Sequence, residues 1–418
     1  MLRTLALVFL LNFIVHSQSL APGGPGHDAQ WSTAAKQGIG TSANLESKVW
    51  FTLAQGVMTE VYYPDVTKAN VQMLQFVVVN TKTKKVETER DDAVSQIESF
   101  PIQRDEKLIK LPSLTGVTIS RPEREGDALK IPSIKLSELY RHVSLPNSLV
   151  FRQVNRSKIG SWSIGKTYLT DSRTNTVLME VTFASDDPAD ELYVYYDPSL
   201  GNSGMGDSGW TDGRYLLSSD KNIASALTCG RCTMMDATNG FLGVNDGLKQ
   251  LWENGTISNP FSRADNGNVV QTARIKQVSL NNGPSAMLFA LAFATTPEFA
   301  KTAAAAALTK GFAKTYQEYQ IGWLDYLKSL PRVDPKYQAQ FNMAAMQLKA
   351  HEDKTHRGAN IASLTVPWGG GANANENNVG GYHLVWSRDL YQVATAFMAL
   401  GDRAAATRAL DFLFNVQQ

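Results

Sequence analysis

Trp386, Arg388 and Asp389 fall within four residues, in a stretch that reads GGYHLVWSRDLYQVATAFMALG from Gly380 to Gly401, with Tyr382 just ahead of them. Buried ions must be paired, and an exposed indole needs no ion beside it, so this grouping is costly in a core and unnecessary on an ordinary surface. A binding site accounts for it. Ser387 or Asp389 is placed to open a helix, which sets the Asp389 carboxylate near the positive end of the helix dipole and beside the Arg388 guanidinium. Both influences favour the ionised form, so Asp389 suits accepting hydrogen bonds and not donating a proton. Arg388 adds a rigid fork of donors. Trp386 and Tyr382 offer flat faces for the C–H side of a pyranose. Acceptor, fork and aromatic plates together fit a neutral sugar, and the competing reading of Arg388 and Asp389 is a surface or capping ion pair.

The segment ahead of these residues is a long loop, from about His351 to Trp386, rich in Gly and Asn. It carries SLTVPWGGG, with Trp368 on a flexible turn, and then ANANENNVGGYH. Gly and Asn satisfy tight backbone turns, and long loops of this kind are often functional. Trp368 is therefore a second candidate aromatic, with core packing as the alternative. Glu376 reads as a solvated loop charge, and His383 as a hydrogen-bonded core histidine, with contact to substrate as the alternative.

The elements that must hold this loop change character along the chain. From about residue 30 to 294, short β-branched and aromatic runs such as VMTEVYY, TVLMEVTFA and ELYVYYD alternate with Gly, Pro, Asn and Asp clusters. Val177, Met179, Val181 and Phe183 alternate cleanly. So many strands imply large, mostly antiparallel sheets packed face to face. After Pro297 the Ala-, Lys- and Gln-rich run to Pro331 reads as a helical connector. Tyr337, Phe341, Ala344, Ala345 and Leu348 then mark a helix for which Asp334 and Pro335 are the expected cap and first turn. Leu390, Val393, Phe397 and Leu400 mark the next helix, and Ala406, Leu410, Leu413 and Val416 the last, with Gly401 and Asp402 as stop and new cap. Tightly linked helix pairs point to an α-hairpin array.

The chain has 418 residues, with 40 Lys and Arg against 39 Asp and Glu. This balance argues against nucleic acid as partner. Residues 1–19 read as a secretory signal, since the apolar run Leu5–Val15 is shorter than the ~20 residues a membrane helix needs. The expected protein is secreted or periplasmic, free of the membrane once the signal is removed, and a monomer. Cys229 and Cys232 form a CxxC without the helical setting of a redox motif or the partner ligands of a zinc site, leaving a structural disulfide or two idle thiols. Asn155 and Asn254 begin glycosylation acceptor triplets. No cofactor is expected. YYDPSLGNSGMGDSGWTDGRY could host calcium but lacks EF-hand spacing, and a turn cluster is the plainer reading.

In order along the chain, the β-rich part with KVWFTLAQGVMTEVYYPDVTKANVQMLQFVVV, the connector, IASLTVPWGGG and GGYHLVWSRDLY resemble the bacterial glucoamylases and glucodextranases of glycoside hydrolase family 15. The resemblance implies a β-supersandwich over 20–295, a helical linker over 296–333 and an incomplete (α/α)6 barrel over 334–418. It implies that Arg388 and Asp389 hold the terminal glucose of an α-glucan oligosaccharide or polysaccharide, with Tyr382 and Trp386 as walls. Ser387 departs from the Pro common at that place in related bacterial sequences. The family's general acid and base are two Glu residues, set about 6.5 to 9.5 Å apart for inversion, and they follow the WSRD helix. Glu352, Asp353 and Glu376 precede that helix and are not assigned these roles. The pair is expected beyond residue 418, which makes this chain an inactive part of an exo-acting, inverting, glucose-releasing hydrolase. An α-glycoside phosphorylase of similar architecture and a non-catalytic exported carbohydrate-binding protein are the rival readings. Linkages of α-1,4 or α-1,6 type and trehalose all remain open as substrates.

Overall fold

The computed structural model describes residues 19–28, 30–33, 35–98, 123–125, 128–130, 147–278, 286–364 and 381–416. The expected signal, Trp368 and Glu376 lie outside them, apart from Ser19.

Two large antiparallel sheets build the first part of the chain. One orders its strands as Gly38–Gly40, Trp50–Ala54, Val57–Tyr62, Val71–Asn80, Asp190–Pro198, Val269–Gln277 and Cys232–Phe241, with Val86–Thr88 also paired to Val71–Asn80. The other runs Arg263–Gly267, Asp207–Thr211, Tyr215–Asp220, Ile223–Gly230, Met287–Ala294, Thr176–Ser185, Trp162–Thr170, Phe151–Ser157 and Ala93–Glu98. Side chains from both sheets, including Phe51, Phe76, Val78, Tyr168, Val177 and Phe289, share one buried core. Among the described residues two short α-helices interrupt the strands, α1 at Glu89–Asp92 and α2 at Gly247–Asn254.

The connector is two helices, α3 at Pro297–Lys310 and α4 at Phe312–Lys328, separated at Gly311, whose φ of +80° suits only a residue without Cβ. Ala300, Ala304 and Ala307 form the buried face of α3. They join the core cluster that contains most of Met287–Ala294, a strand buried along nearly its whole length. A second covered face explains why AMLFALAFA is continuously apolar where a half-exposed strand would alternate. On α4 the buried stripe is Phe312, Thr315, Tyr319 and Trp323. The Tyr319 hydroxyl donates to the Thr41 and Leu149 carbonyls at 2.7 and 3.0 Å, and Trp323 Nε1 donates to Thr41 at 3.0 Å.

Among the described residues three further α-helices follow: α5 at Gln338–Ala350, α6 at Ser387–Leu400 and α7 at Arg403–Val416. Two expectations need correction. Helix α5 starts at Gln338, because the Asp334 carboxylate accepts from Lys336 N at 3.0 Å and closes a separate turn. The buried face of α7 is Ala405, Ala406 and Ala409, while Leu410 and Val416 are exposed. Its small residues let the preceding loop approach the backbone closely, which larger side chains would prevent. The Gly401–Asp402 junction behaves as expected, with φ of +80° at Gly401 and the Asp402 carboxylate accepting from Ala405 N at 3.0 Å.

Candidate functional site

Trp386, Arg388 and Asp389 lie at the N-terminal end of α6, and Tyr382 sits in the short turn Gly381–His383 just ahead of it. Trp386 occupies the N-cap position with extended backbone, its carbonyl accepting from Leu390 N at 2.8 Å, and Asp389 lies in the first turn. Arg388 Nε stands 3.7 Å from Asp389 Oδ1, with side-chain exposures of 74% and 33%. An ion pair this open contributes about 0–1 kcal/mol to stability, so it is not a structural tie. Tyr382 and Trp386 are 46% and 47% exposed. Two half-exposed rings, a fork of donors and an acceptor carboxylate therefore share one solvent-facing helix end.

The stem below them is tied by backbone hydrogen bonds. Ser363 N donates to the Tyr382 carbonyl at 3.0 Å and Ala362 N to Leu384 at 3.3 Å, so the two ends of the long loop run side by side. Ile361, Leu364 and Val385 pack against Trp31, Ile39, Trp50, Tyr62 and Val66 of the β part. His383 is buried, as a core histidine should be, with Nδ1 at 2.6 Å from the Val66 carbonyl and its ring 5.1 Å from that of Tyr62.

The run Glu352-Asp353-Lys354 proves to be a fastening. Glu352 is buried and accepts from Arg408 Nε and Nη2 at 2.5 and 2.7 Å and from Gly358 N at 3.2 Å. Asp353 accepts from the backbone of Val66, Thr355 and His356. Lys354 reaches into the β part, where its Nζ donates to Thr41 Oγ1 at 2.5 Å and to the Ser42 and Ser47 carbonyls at 2.8 Å, 5.0 Å from the Trp50 ring centre. No local pattern marks Lys354, because all of its acceptors lie more than 300 positions away.

Burial pushes the Lys354 amine down to about 7, against the pull of Glu352 and Asp353. An unfolded lysine titrates near ~10.4. Between these values the unfolded chain binds a proton that the folded chain does not, so this group makes stability rise with pH across the window. Lys354→Met is expected to flatten that rise between pH 7.5 and 9 by up to about 2 kcal/mol, from a slope of about 1.4 kcal/mol per pH unit. Urea unfolding at several pH values checks it, and a difference between the two proteins that is independent of pH would refute it.

Three other motifs resolve simply. Cys229 and Cys232 are disulfide-bonded across the short turn by which the chain passes from one large sheet to the other, with Cα atoms 5.7 Å apart. Asn155 is buried, donating to the Gly56 carbonyl and to Glu89 at 2.7 Å each, so its side chain is out of reach of glycosylation. Among the described residues no group of three or more His, Cys, Asp or Glu could hold a metal, and no helix is long and apolar enough to cross a membrane. In the Asp- and Gly-rich stretch, Asp207 Oδ2 accepts from Leu200 N at 3.0 Å and fixes a turn.

Comparison with known proteins assigns both parts of the chain. Residues 21–328 match the family described as glucodextranase, domain N, and residues 336–416 match glycosyl hydrolases family 15. A glucoamylase of Clostridium sp. (strain G0005) is 32% identical over 403 residues, covering 95% of this chain and 50% of that protein. The crystal structure of a bacterial glucoamylase complexed with acarbose superposes with a TM-score of 0.78 at 32% identity, covering 95% of this chain and 52% of the other. The chain thus spans about half the length of these relatives.

Proposed function

The chain belongs to the glucoamylase and glucodextranase type of glycosyl hydrolase family 15, and from that premise we propose that it serves an exo-acting α-glucoside hydrolase that releases glucose with inversion. The observation that carries this reading is the grouping of Tyr382, Trp386, Arg388 and Asp389 at the start of α6, inside the segment matching family 15. A relative crystallised with acarbose supports an α-glucan oligosaccharide as ligand. In this reading Asp389 and Arg388 take the hydroxyls of the terminal glucose, and Trp386 and Tyr382 bound its apolar face. Trp368, outside the described residues, is a further candidate aromatic for the same sugar in this reading.

Hydrolysis with inversion needs a general acid and a general base on opposite sides of the sugar. Glu352 is committed to Arg408, and no glutamate follows Glu376 in these 418 residues. We infer that the catalytic carboxyls come from outside them and that this chain alone binds sugar without cleaving it. Exposed Leu410, Phe414 and Val416 on α7 and Met398 on α6 support further hairpins packing there, as a barrel requires. The apolar N-terminus supports an exported protein.

Calorimetric titration of the chain with maltotriose tests the site. Asp389→Asn and Trp386→Ala are each expected to weaken binding about 10- to 100-fold, since hydrogen bonds to a charged group contribute about 1.5–3 kcal/mol and removing an aromatic plate costs a similar amount. Unchanged affinity in both variants would remove the site from these residues. Glucose release from maltotriose by the chain alone would overturn the inference about the carboxyls, and release that depends on phosphate would point to a phosphorylase.

A further inference from the structure

We propose that the β part positions the sugar-binding end of α6, with His383 as the positioning residue and Val66 and Tyr62 as its seat. The proposal rests on the sugar-site reading above and adds what holds that site in shape. A carbonyl only accepts, so the 2.6 Å contact with Val66 requires His383 Nδ1 to carry the proton and donate it. The Tyr62 ring lies 5.1 Å away, tilted by 34°, and Tyr62 is itself fully buried. His383 follows Tyr382 directly and precedes Trp386 by three positions, so fixing its ring fixes the backbone from which both aromatic plates project.

The same turn of the β part is held a second time. Val66 N donates to Asp353 Oδ2 at 2.8 Å, and Thr355 Oγ1 donates to the Pro64 carbonyl at 2.6 Å. Val66 therefore uses both of its backbone groups on the helical part, one on each side of the long loop. The loop stem, clamped by the pairing of Ser363 with Tyr382, then sits on Trp31, Trp50 and Tyr62. A binding surface on a loop gains precision when buried bonds lock its base, and a displacement of 1 Å at such a base is enough to weaken binding.

His383→Phe keeps a ring for Tyr62 and loses the donor. His383→Asn places an amide where Nδ1 stood and keeps it. In hydrogen exchange of the full chain, the Phe variant is expected to exchange the 382–386 amides at least ~10-fold faster and to bind maltotriose about 10-fold more weakly, while the Asn variant stays close to wild type. If the Phe variant does not fold, His383→Leu, which also lacks a donor, carries the same expectation. Unchanged exchange in the donor-less variant overturns the proposal. So does faster exchange with undiminished maltotriose affinity, or an Asn variant as impaired as the Phe variant. A wild-type chain with no measurable affinity for maltotriose counts against the sugar-site reading instead, and the exchange measurement then decides the anchoring by itself.

Discussion

Glu352→Ala is expected to lower the unfolding free energy by about 3–5 kcal/mol, the usual cost of removing one member of a buried ion pair. Its carboxylate is almost wholly buried and holds two guanidinium N–H groups of Arg408 together with Gly358 N. Lys349 Nζ stands 3.6 Å from the other face of the group and also 3.1 Å from Asp402, so one carboxylate joins α5, the following loop and α7. Alanine leaves a half-buried guanidinium and a buried N–H without their acceptor, and unsatisfied groups of that kind carry the full desolvation cost. Glu352→Gln retains the shape and one acceptor, so its loss should be smaller, about 1–2 kcal/mol, as expected for weakening charged hydrogen bonds. Urea unfolding measures both. A loss below 1 kcal/mol for alanine would show that α7 does not depend on this bond. Sugar affinity of the Gln variant should match wild type, which separates a fastening role from a place in the sugar site.

Gly358→Ala should be nearly as damaging, at about 3 kcal/mol. The residue has φ of +87°, and a Cβ added there would overlap the Arg408 carbonyl and approach Ala409 N. The left-handed conformation costs a residue with Cβ about 1–2 kcal/mol. Overpacking adds about 1–3 kcal/mol, and here it falls on helix backbone that no rotamer change can move aside. Gly322→Ala is the control, because it lies inside α4 and its added Cβ would meet only Ala43 Cβ at 3.7 Å, an ordinary contact. That variant should gain up to about 1 kcal/mol from helix propensity. Opposite signs in two Gly→Ala variants, read from thermal and urea unfolding, are the expected result. A neutral Gly358→Ala would mean that the loop and α7 separate at little cost.

Much of this architecture is written in short-range pattern. The alternation of Val177, Met179 and Val181, the α3 stripe of alanines, and the Gly401–Asp402 stop and cap are local, since each reports the period of one element or the chemistry of one turn. The chemical type of Arg388, Asp389, Trp386 and Tyr382 and their place at a helix start were legible in the same way. Asp334 misled because a carboxylate caps a two-residue turn as readily as a helix. Leu410 and Val416 misled because period identifies an apolar face without saying which side of the helix a neighbour covers.

Tertiary structure decided the fastenings. Trp50 Nε1 donates to the Ala350 carbonyl at 3.0 Å, Lys354 enters the Thr41–Ser47 loop, and His383 meets Val66, each across roughly 300 residues. Nothing in either partner's neighbourhood marks such a contact, because a lone buried donor gains its meaning only when folding brings an acceptor to it. By itself the sequence determined which chemical types stand together at the start of α6; the packing of two distant parts of the chain decided what holds them in place, since a hydrogen bond between remote residues is a property of shape and not of order along the chain.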